Sequence, residues 1–385
     1  MILLNINVII TILVIFLIII PTHCYSNIPP EAEMTAIEII LYHGYPAQVF
    51  HAQTIDGYIL DLHRIPFGKN GCSNNQKYRP VIFLQHSLLG SSAEWHVKYS
   101  VKDELFWKFS WDEMAKFDLD AMFDVVLHET KKSSLYYVGF SQGTLIMFAK
   151  LSQDPKFASK IRKFFALGPV ATVANVKGLF RLFATIISRN TKLMWRIFGN
   201  KYFTLTSKLA KIIGMLICEK SFFDPICDEI LYQIAGPMSD QFNKSRLSVY
   251  IKGVGGTSVM NMIHLVQMVN SGKMQAYDYE SVEQNQLHYG ADSPPIYNLS
   301  SINVPIYLYW STNDWLATAE DVENSLLSIL PKNSIKMRKK FKNYNHLDFI
   351  WGLRAAAGIY KPIISIIKDH RAEDLPNNFK IAKNF

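Results

Sequence analysis

Short apolar runs alternate with longer helical stretches along most of the chain. Pro46–Thr54 and Tyr58–Ile65 show strand-like alternation, and Asp56-Gly57 between them favours a tight hairpin turn because glycine accepts positive φ. Four further apolar runs are too short for helices and predict buried strands: Val81–Leu84, Leu135–Val138, Arg162–Leu167 and Val304–Trp310. Buried strands that alternate with helices are typical of a mostly parallel α/β sheet, here preceded by a hairpin.

A candidate nucleophile lies where a predicted strand meets a predicted helix. Ser110 and Glu113 are spaced as a capping box, and apolar residues at helical spacing continue from there to His128. The strand Leu135–Val138 then leads into Gly139-Phe140-Ser141-Gln142-Gly143 and a helix-like stretch. The G-x-S-x-G pattern alone is weak evidence, since ordinary turns also use Gly and Ser. Its position between strand and helix is that of a nucleophile elbow, which favours Ser141 as a nucleophile.

A serine nucleophile needs a base and an acid, which in this type of sheet follow it in the order Ser, acid, His. Asp314 comes directly after a predicted strand, and only His346 and His370 lie beyond it. We interpret His346 as the base because His370 stands in a charged segment. Asp348, two residues after His346, remains the alternative acid. Isolated Asp and His residues more often have structural roles, so the order and the placement carry this interpretation.

Acyl transfer also requires backbone N–H groups directed at the developing oxyanion. One comes from the residue after the nucleophile, here Gln142, and the other from the loop after the third strand, here Leu88. Chemistry of this kind needs no metal or organic cofactor.

The amino terminus and the cysteines indicate the secretory route. Residues 2–20 form an apolar run, so residues 1–26 are interpreted as a signal peptide; an uncleaved anchor stays open because the basic n-region is missing. In an oxidising compartment Cys218 and Cys227 close a short loop and form the predicted disulfide. Asn243 and Asn298 begin glycosylation sequons. The net charge of +8 is spread without blocks, which argues against nucleic acid as a partner.

Several motifs resemble the acid lipase family, the gastric and lysosomal acid lipases. Asp314-Trp-Leu-Ala317 and His346-Leu-Asp-Phe-Ile-Trp-Gly352 resemble the contexts of the family's acid and base. Further similar segments, in family order, are His86–Leu89, Phe106–Lys116, Phe164–Val170, Gly256–Val259 and Asn261–His264. The resemblance extends from about Pro30 to about Lys368.

The resemblance implies an α/β-hydrolase fold with an inserted helical cap. Its expected organisation is a core of residues 27–173 and 304–370, a cap of residues 174–303 and a tail of residues 371–385. It also implies a secreted or lysosomal enzyme that hydrolyses neutral lipid esters, triacylglycerols or cholesteryl esters, at a lipid–water interface. Transient contact with a membrane or lipid-droplet surface and the oligomeric state stay open. Apolar residues at helical spacing predict the cap core: Leu182, Ile186, Met194, Ile197 and Phe198.

The chain departs from the family pattern in three places. Phe140 replaces the usual His before the nucleophile, and Ser87 replaces a Gly in the oxyanion loop, where its added Cβ and hydroxyl could displace the N–H of Leu88. Only 50 positions separate Gln85 from Leu135. The family has about thirty more, and a parallel crossover alone takes about a dozen. We therefore expect one core strand to be missing, and a catalytically impaired or inactive variant that at most binds lipid is the alternative to an active lipase.

Overall fold

A five-stranded parallel sheet forms the centre of the molecule, with strand order β3-β4-β5-β8-β9. The computed structural model describes residues 29–71, 79–90, 104–199, 202–203, 224–237 and 239–373. The strands are β1 (Gln48–Gln53), β2 (Ile59–Arg64), β3 (Ile82–Gln85), β4 (Leu135–Phe140), β5 (Ile161–Leu167), β6 (Tyr202–Phe203), β7 (Thr257–Ser258), β8 (Ile306–Ser311) and β9 (Ile335–Phe341). The predicted α/β fold class and its parallel sheet are confirmed.

Helices cover the sheet and fill the long connection between β5 and β8. They are α1 (Ala36–Tyr42), α2 (Trp111–Glu113), α3 (Leu119–Thr130), α4 (Gln142–Gln153), α5 (Gly178–Ser188), α6 (Thr191–Phe198), α7 (Asp224–Ala235), α8 (Leu247–Lys252), α9 (Val259–Ser271), α10 (Val282–Tyr289), α11 (Ala319–Asp321), α12 (Leu327–Ile329), α13 (Asp348–Trp351) and α14 (Lys361–Glu373). Within the described ranges, no helix is long and apolar enough to cross a membrane.

The helix predicted after Ser110 is present with its capping box. The carboxylate of Glu113 accepts a hydrogen bond from the backbone N–H of Ser110 at 2.7 Å, and the Ser110 hydroxyl accepts one from the N–H of Asp112 at 3.2 Å. A π-helical turn, Met114–Asp118, joins α2 to α3. Trp111 and the apolar face of α3 are buried against the sheet, which brings this helical run beside the nucleophile strand.

The predicted hairpin is present as an isolated two-stranded sheet. β1 and β2 pair antiparallel from Gln48↔Arg64 to Gln53↔Ile59, and Gly57 in the turn has a φ of 98°. In the described part of the chain neither strand pairs with the central sheet. The hairpin therefore does not extend the sheet beyond β3.

β3 is an open edge of the central sheet as far as the described residues show. Phe83 is buried and packs against Phe123 and Tyr137, but Ile82 and Leu84 are 40 % and 74 % exposed. Large apolar side chains on a short strand of a parallel sheet are normally covered on both faces. The exposure is what we expect if a neighbouring strand and its helix are missing.

The insertion between β5 and β8 is largely helical, and its core differs in part from the predicted one. Met194 is fully buried, as predicted. Leu182 and Ile186 are exposed, so their prediction as cap core is wrong. Because α5 is apolar around most of its circumference, periodicity did not identify the face that buries Ala184 and Ile187. The side chains of Ile197 and Phe198 lie outside the described residues.

Candidate active site

Ser141 lies on the sharp turn between β4 and α4, with φ 54° and ψ −119°. Its N–H donates to the carbonyl of Leu167 on β5 at 3.0 Å. The two flanking glycines are required by close contacts: a Cβ on Gly139 would lie 2.7 Å from the carbonyl oxygen of Gly143, and a Cβ on Gly143 would lie 2.8 Å from the carbonyl oxygen of Gln85. This is the backbone geometry of a nucleophile elbow.

Two buried hydroxyl groups hold the elbow in place. The Thr144 hydroxyl donates to the carbonyl of Ser141 at 2.7 Å and accepts from the N–H of Val170 at 2.8 Å. The Tyr137 hydroxyl donates to the carbonyl of Gly143 at 2.6 Å, and burial raises the pKa of Tyr137 well above its usual value. These bonds satisfy backbone carbonyls in the first turn and stabilise the positive φ of Ser141.

His346 and Asp314 form a buried pair at the carboxyl ends of β8 and β9. The Nδ1 atom of His346 lies 2.8 Å from Oδ2 of Asp314, and the two residues are 3 % and 1 % exposed. Oδ1 of Asp314 accepts the N–H groups of Leu316 and Ala317 at 2.9 and 2.8 Å. An Nδ1–H that donates to the carboxylate leaves Nε2 as the acceptor nitrogen, which is the tautomer that a general base needs.

The elbow and the acid–base pair meet around Phe140 and Gly168. The Phe140 ring packs on the imidazole of His346 with centroids 4.9 Å apart. Gly168 directly follows β5, the strand whose Leu167 carbonyl accepts the N–H of Ser141. A Cβ on Gly168 would lie 3.2 Å from Cε1 of His346 and 3.4 Å from Oδ2 of Asp314. No hydrogen bond between Ser141 Oγ and His346 is among the contacts of the described residues. Such bonds are often long in free enzymes and shorten when substrate binds.

The alternative acid and the alternative base have other partners. Oδ2 of Asp348 accepts the N–H of Asn345 at 2.8 Å, and burial raises the pKa of Asp348. Nδ1 of His370 lies 2.8 Å from the hydroxyl of Tyr136. Of the acids and bases weighed from the sequence, Asp314 and His346 are therefore the two that the structure brings together.

The candidate oxyanion donors lie on two neighbouring segments. Gln142 begins α4, whose Gly143 contacts the start of the loop after β3. Leu88 stands in that loop, which is held to the insertion by the N–H of Gly255 donating to the carbonyl of Leu89 at 2.6 Å. The hydroxyl of Ser87 donates to the carbonyl of Leu88 at 3.3 Å, and so is directed away from the Leu88 N–H.

Asn261 on α9 is a site residue to which sequence reasoning assigned no role. Its side-chain amide donates to Oε1 of Gln142 and to the hydroxyl of Thr257, both at 3.0 Å, and it is fully buried. The amide of Gln142 in turn donates to the sulfur of Met114 at 3.3 Å. The only sequence signal was the family-like segment Asn261–His264, which indicates descent but not contact.

A cavity of about 220 Å³ opens beside Gln142. Most of its wall is apolar or aromatic and includes Tyr58, Leu89, Phe106, Trp107, Phe109 and Met114. Asp56, Glu113 and Asp118 also line it. Burial, together with the neighbouring carboxylates of Asp56 and Glu113, raises the pKa of Asp118 well above its usual value. Nowhere in the described ranges do three or more His, Cys, Asp or Glu side chains form a group that could hold a metal ion.

A polar cluster joins the insertion to the core near this cavity. Asp112 accepts the hydroxyl of Tyr297 at 2.5 Å and the N–H of Tyr277 at 2.7 Å, and burial raises its pKa to about 7. Nδ1 of His264 lies 3.0 Å from the Ser110 hydroxyl, and burial lowers the pKa of His264 to about 4. Near pH 7 the imidazole of His264 is therefore neutral, and the carboxyl of Asp112 is only partly ionised.

The predicted modification sites are only partly described. Asn298 is exposed, and its Oδ1 accepts the N–H of Ser300 at 3.1 Å. Oδ1 of Asn243 likewise accepts the N–H of Ser245, at 3.2 Å. Cys227 lies on α7, whereas Cys218, the signal peptide and residues 374–385 fall outside the described residues. The disulfide and both glycosylation sites stay predictions.

Comparison with known proteins reveals close relatives over nearly the whole chain. Residues 36–99 match the family described as partial alpha/beta-hydrolase lipase region. The chain is 39 % identical to lipase lipl-1 of Caenorhabditis elegans, with 88 % of this chain and 93 % of that protein covered. It is 40 % identical to the gastric triacylglycerol lipase of Bos taurus, covering 89 % and 93 %. A solved structure, an alpha/beta hydrolase fold protein from Nakamurella multipartita, aligns at 12 % identity with a TM-score of 0.45, covering 80 % of this chain and 96 % of that one.

The length of these alignments bears on the expected deletion. The alignment with lipl-1 spans 376 residues, but 88 % of the 385 residues of this chain is only about 339. This chain therefore has gaps at about 37 positions of the alignment, where lipl-1 has residues. This difference agrees with the segment that the sequence indicates to be missing. With relatives near 40 % identity that it covers almost end to end, the chain belongs to the acid lipase family of serine ester hydrolases.

Proposed function

We propose that this lipase family member hydrolyses carboxylic esters of neutral lipids, with Ser141, His346 and Asp314 as its catalytic residues. The observation that carries the proposal is the buried contact of 2.8 Å between His346 and Asp314, beside a serine held at a φ of 54° on a strand-to-helix turn. Serine nucleophiles of this kind act through an acyl-enzyme.

In the proposed reaction Oγ of Ser141 attacks the ester carbonyl while Nε2 of His346 accepts its proton. Asp314 holds the imidazole in the required tautomer and stabilises the imidazolium that forms. The N–H groups of Gln142 and Leu88 donate to the oxyanion. His346 then gives its proton to the leaving alcohol, and a water molecule activated by the same nitrogen hydrolyses the acyl-enzyme.

Three observations support a neutral lipid as the substrate. The relatives include gastric triacylglycerol lipases. The cavity beside Gln142 has mostly apolar walls, which suit an acyl chain. On α5, Leu179, Leu182 and Ile186 are exposed at helical spacing and form an apolar stripe, which suits transient contact with a lipid–water interface. Triacylglycerols and cholesteryl esters both fit this chemistry, and we propose a secreted or lysosomal location from the leader sequence.

The proposal is tested by the substitution Ser141→Ala. We expect it to abolish ester hydrolysis and labelling by a serine-directed organophosphate, because no other hydroxyl lies on the elbow. Ser133→Ala removes an exposed hydroxyl near the same strand and serves as the matched control, which should keep both activities. Full labelling of the Ser141→Ala protein would remove Ser141 from the mechanism.

A catalytically impaired protein that only binds lipid is the second candidate function. It is favoured by the exposed Ile82 and Leu84 on β3 and by the positions that this chain lacks relative to lipl-1. The two candidates differ in one measurement: an impaired protein binds emulsified triacylglycerol but is not labelled at Ser141 by the organophosphate.

A further inference from the structure

The carboxyl end of α7 lies between the loop that carries Asp314 and the loop that carries His346. The carbonyl oxygen of Ala235, the last residue of α7, accepts the N–H of Trp315 at 3.2 Å and the N–H of His346 at 3.0 Å. Trp315 follows Asp314 directly in the chain. One helix-terminal carbonyl therefore binds the backbone of the base and the residue next to the acid, and Ala235 is fully buried.

The helix end approaches the acid loop too closely to be moved freely. Gly236, with φ 110°, has no room for a side chain, because a Cβ there would lie 2.0 Å from the carbonyl oxygen of Asn313. The rings of Tyr232 and Trp315 pack with centroids 4.7 Å apart. On the other side of Trp315, its carbonyl accepts the N–H of Lys177 at 2.9 Å.

The segment that follows α7 continues along the loop after the base. The carbonyl of Gln241 accepts the N–H of Leu353 at 2.9 Å, and the carboxylate of Asp240 pairs with the guanidinium of Arg354, Oδ2 accepting at 3.0 Å. The carboxyl end of α7 and the segment after it thus contact the residues on both sides of Asp314. They also contact His346 and the chain that follows His346.

We propose that the carboxyl end of α7, residues Tyr232–Gly236, positions the acid–base pair of the active site. Asp314 and His346 are carried by loops after two different strands, β8 and β9, and the shared carbonyl of Ala235 fixes the offset between those loops. Because α7 belongs to the insertion, a shift of this helix changes the relative position of the two loops. The inference rests on the proposed function, since it concerns the same pair of residues.

The direct test is Gly236→Ala, compared with Gly290→Ala. Both glycines have positive φ, 110° at Gly236 and 67° at Gly290, but a Cβ on Gly290 meets no atom within 4 Å. The control therefore adds a methyl group at positive φ without the displacement of Asn313. For a soluble ester, p-nitrophenyl butyrate, we expect Gly236→Ala to lower kcat about 100-fold, the effect of a displacement of about 1 Å, with KM unchanged. Gly290→Ala should retain the kcat of the parent chain. Equal kcat values for all three proteins, or an equal loss in both variants, would overturn the proposal.

A milder pair of variants covers the case in which Gly236→Ala does not fold. Tyr232→Ala removes the ring that packs on Trp315, and Tyr232→Phe retains it. We expect Tyr232→Ala to lower kcat with little change in KM, and Tyr232→Phe to have the kcat of the parent chain. A change in KM alone, or an equally low kcat in Tyr232→Phe, contradicts a positioning role.

A spectroscopic measurement separates this inference from the proposed function. The proton between Nδ1 of His346 and Asp314 should give a low-field NMR resonance that does not depend on turnover. If the unsubstituted chain shows this resonance but no hydrolysis, the proposed function fails, and displacement of the signal in Tyr232→Ala still supports the positioning role. A resonance identical in the parent chain and in Tyr232→Ala overturns it.

Discussion

Ser141 has a backbone conformation that non-glycine residues rarely adopt, with φ 54° and ψ −119°. A non-glycine residue in this region of φ and ψ costs about 1–3 kcal/mol, which the surrounding contacts must offset. Here the offset comes from the hydroxyls of Thr144 and Tyr137 and from the close packing of Gly139 and Gly143. The contacts that stabilise the turn therefore also hold the candidate nucleophile in place, and Ser141 is buried, with an exposed fraction of 8 %.

Replacement of the two candidate acids should separate their roles. Asp314→Asn leaves the volume unchanged but removes the acceptor charge beside Nδ1 of His346, so we expect kcat to fall by about 10⁴-fold. Asp348→Asn should leave kcat within a few-fold of the parent, because Asp348 accepts from a backbone N–H in the turn after β9 and not from the imidazole. Steady-state kinetics on a soluble ester, with circular dichroism to verify folding, measures both. A larger loss from Asp348→Asn would reverse the assignment.

The buried carboxyl of Asp112 should make stability depend on pH. The folded protein keeps this proton up to a pKa of about 7, whereas the ordinary value is 3.8, so the folded state binds more protons between those values and the group costs stability as pH rises. His264 has the opposite effect on stability. Its pKa in the folded protein is about 4, below its ordinary value of 6.5, so the folded state binds fewer protons between those values and stability rises with pH. Asp112→Asn removes the first effect.

The free energy of unfolding of Asp112→Asn, relative to the parent chain, should therefore rise by about 1.4 kcal/mol per pH unit between roughly pH 4.5 and 7. Urea unfolding at the two ends of this range measures the difference. His264→Gln is the companion variant and should show the opposite trend below pH 6.5. A pH-independent difference for Asp112→Asn would mean that its carboxyl is ionised throughout.

At the residue scale, the sequence predicted what depends on local motif and chain order. Ser141 stands between two glycines after a strand, and Asp314 and His346 follow in the order that is typical of this type of sheet. Asn261 and Ala235 could not be predicted in the same way. Asn261 contacts Gln142 across 119 positions, and Ala235 acts through a backbone carbonyl that every residue type possesses.

At the scale of elements, the ends of the strands predicted from apolar runs were found within about two residues. Three strands among the described residues were not predicted, the two-residue strands β6 and β7 and the longer strand β9, of which β9 is the informative one. β9 reads Ile335-Lys-Met-Arg-Lys-Lys-Phe341 and was not predicted, because charged residues interrupt its apolar pattern. It forms the other edge of the sheet, where Lys side chains discourage pairing with further strands. Its sequence reflects an edge position, which cannot be recognised before the strand order is known.

The exposed stripe on α5 should matter for aggregated substrates only. Leu182→Ser combined with Ile186→Ser removes two exposed apolar side chains, each worth about 1.5–3 kcal/mol when fully buried, so partitioning onto a lipid surface should weaken at least tenfold. We expect lower activity on emulsified tributyrin and unchanged kcat on dissolved p-nitrophenyl butyrate. Leu287→Ser, on α10 and 76 % exposed, is the matched control. Equal effects on both substrates would show that the stripe is part of the fold instead.

At the scale of the whole molecule, the two edges of the sheet differ in kind. The β9 edge carries lysines, whereas β3 exposes Ile82 and Leu84 and has one partner strand among the described residues. An unprotected apolar edge promotes pairing between chains. The same edge lies beside the loop that carries Leu88, so any disorder there affects the candidate oxyanion hole as well as stability.

Restoring the absent segment should therefore improve both folding and hydrolysis. A missing strand leaves ladder groups unpaired and apolar side chains uncovered, and a domain is stable by only about 5–15 kcal/mol. We therefore expect the present chain to express less well, unfold less sharply and hydrolyse esters more slowly than the same chain with the segment restored. Insertion after Trp95 of the helix–strand segment of about thirty residues found in a relative should cover β3 and sharpen the thermal transition. A glycine–serine insert of the same length is the control, because it lengthens the loop without adding a strand. A sharp transition with robust turnover by the present chain would show that its sheet needs no strand beside β3.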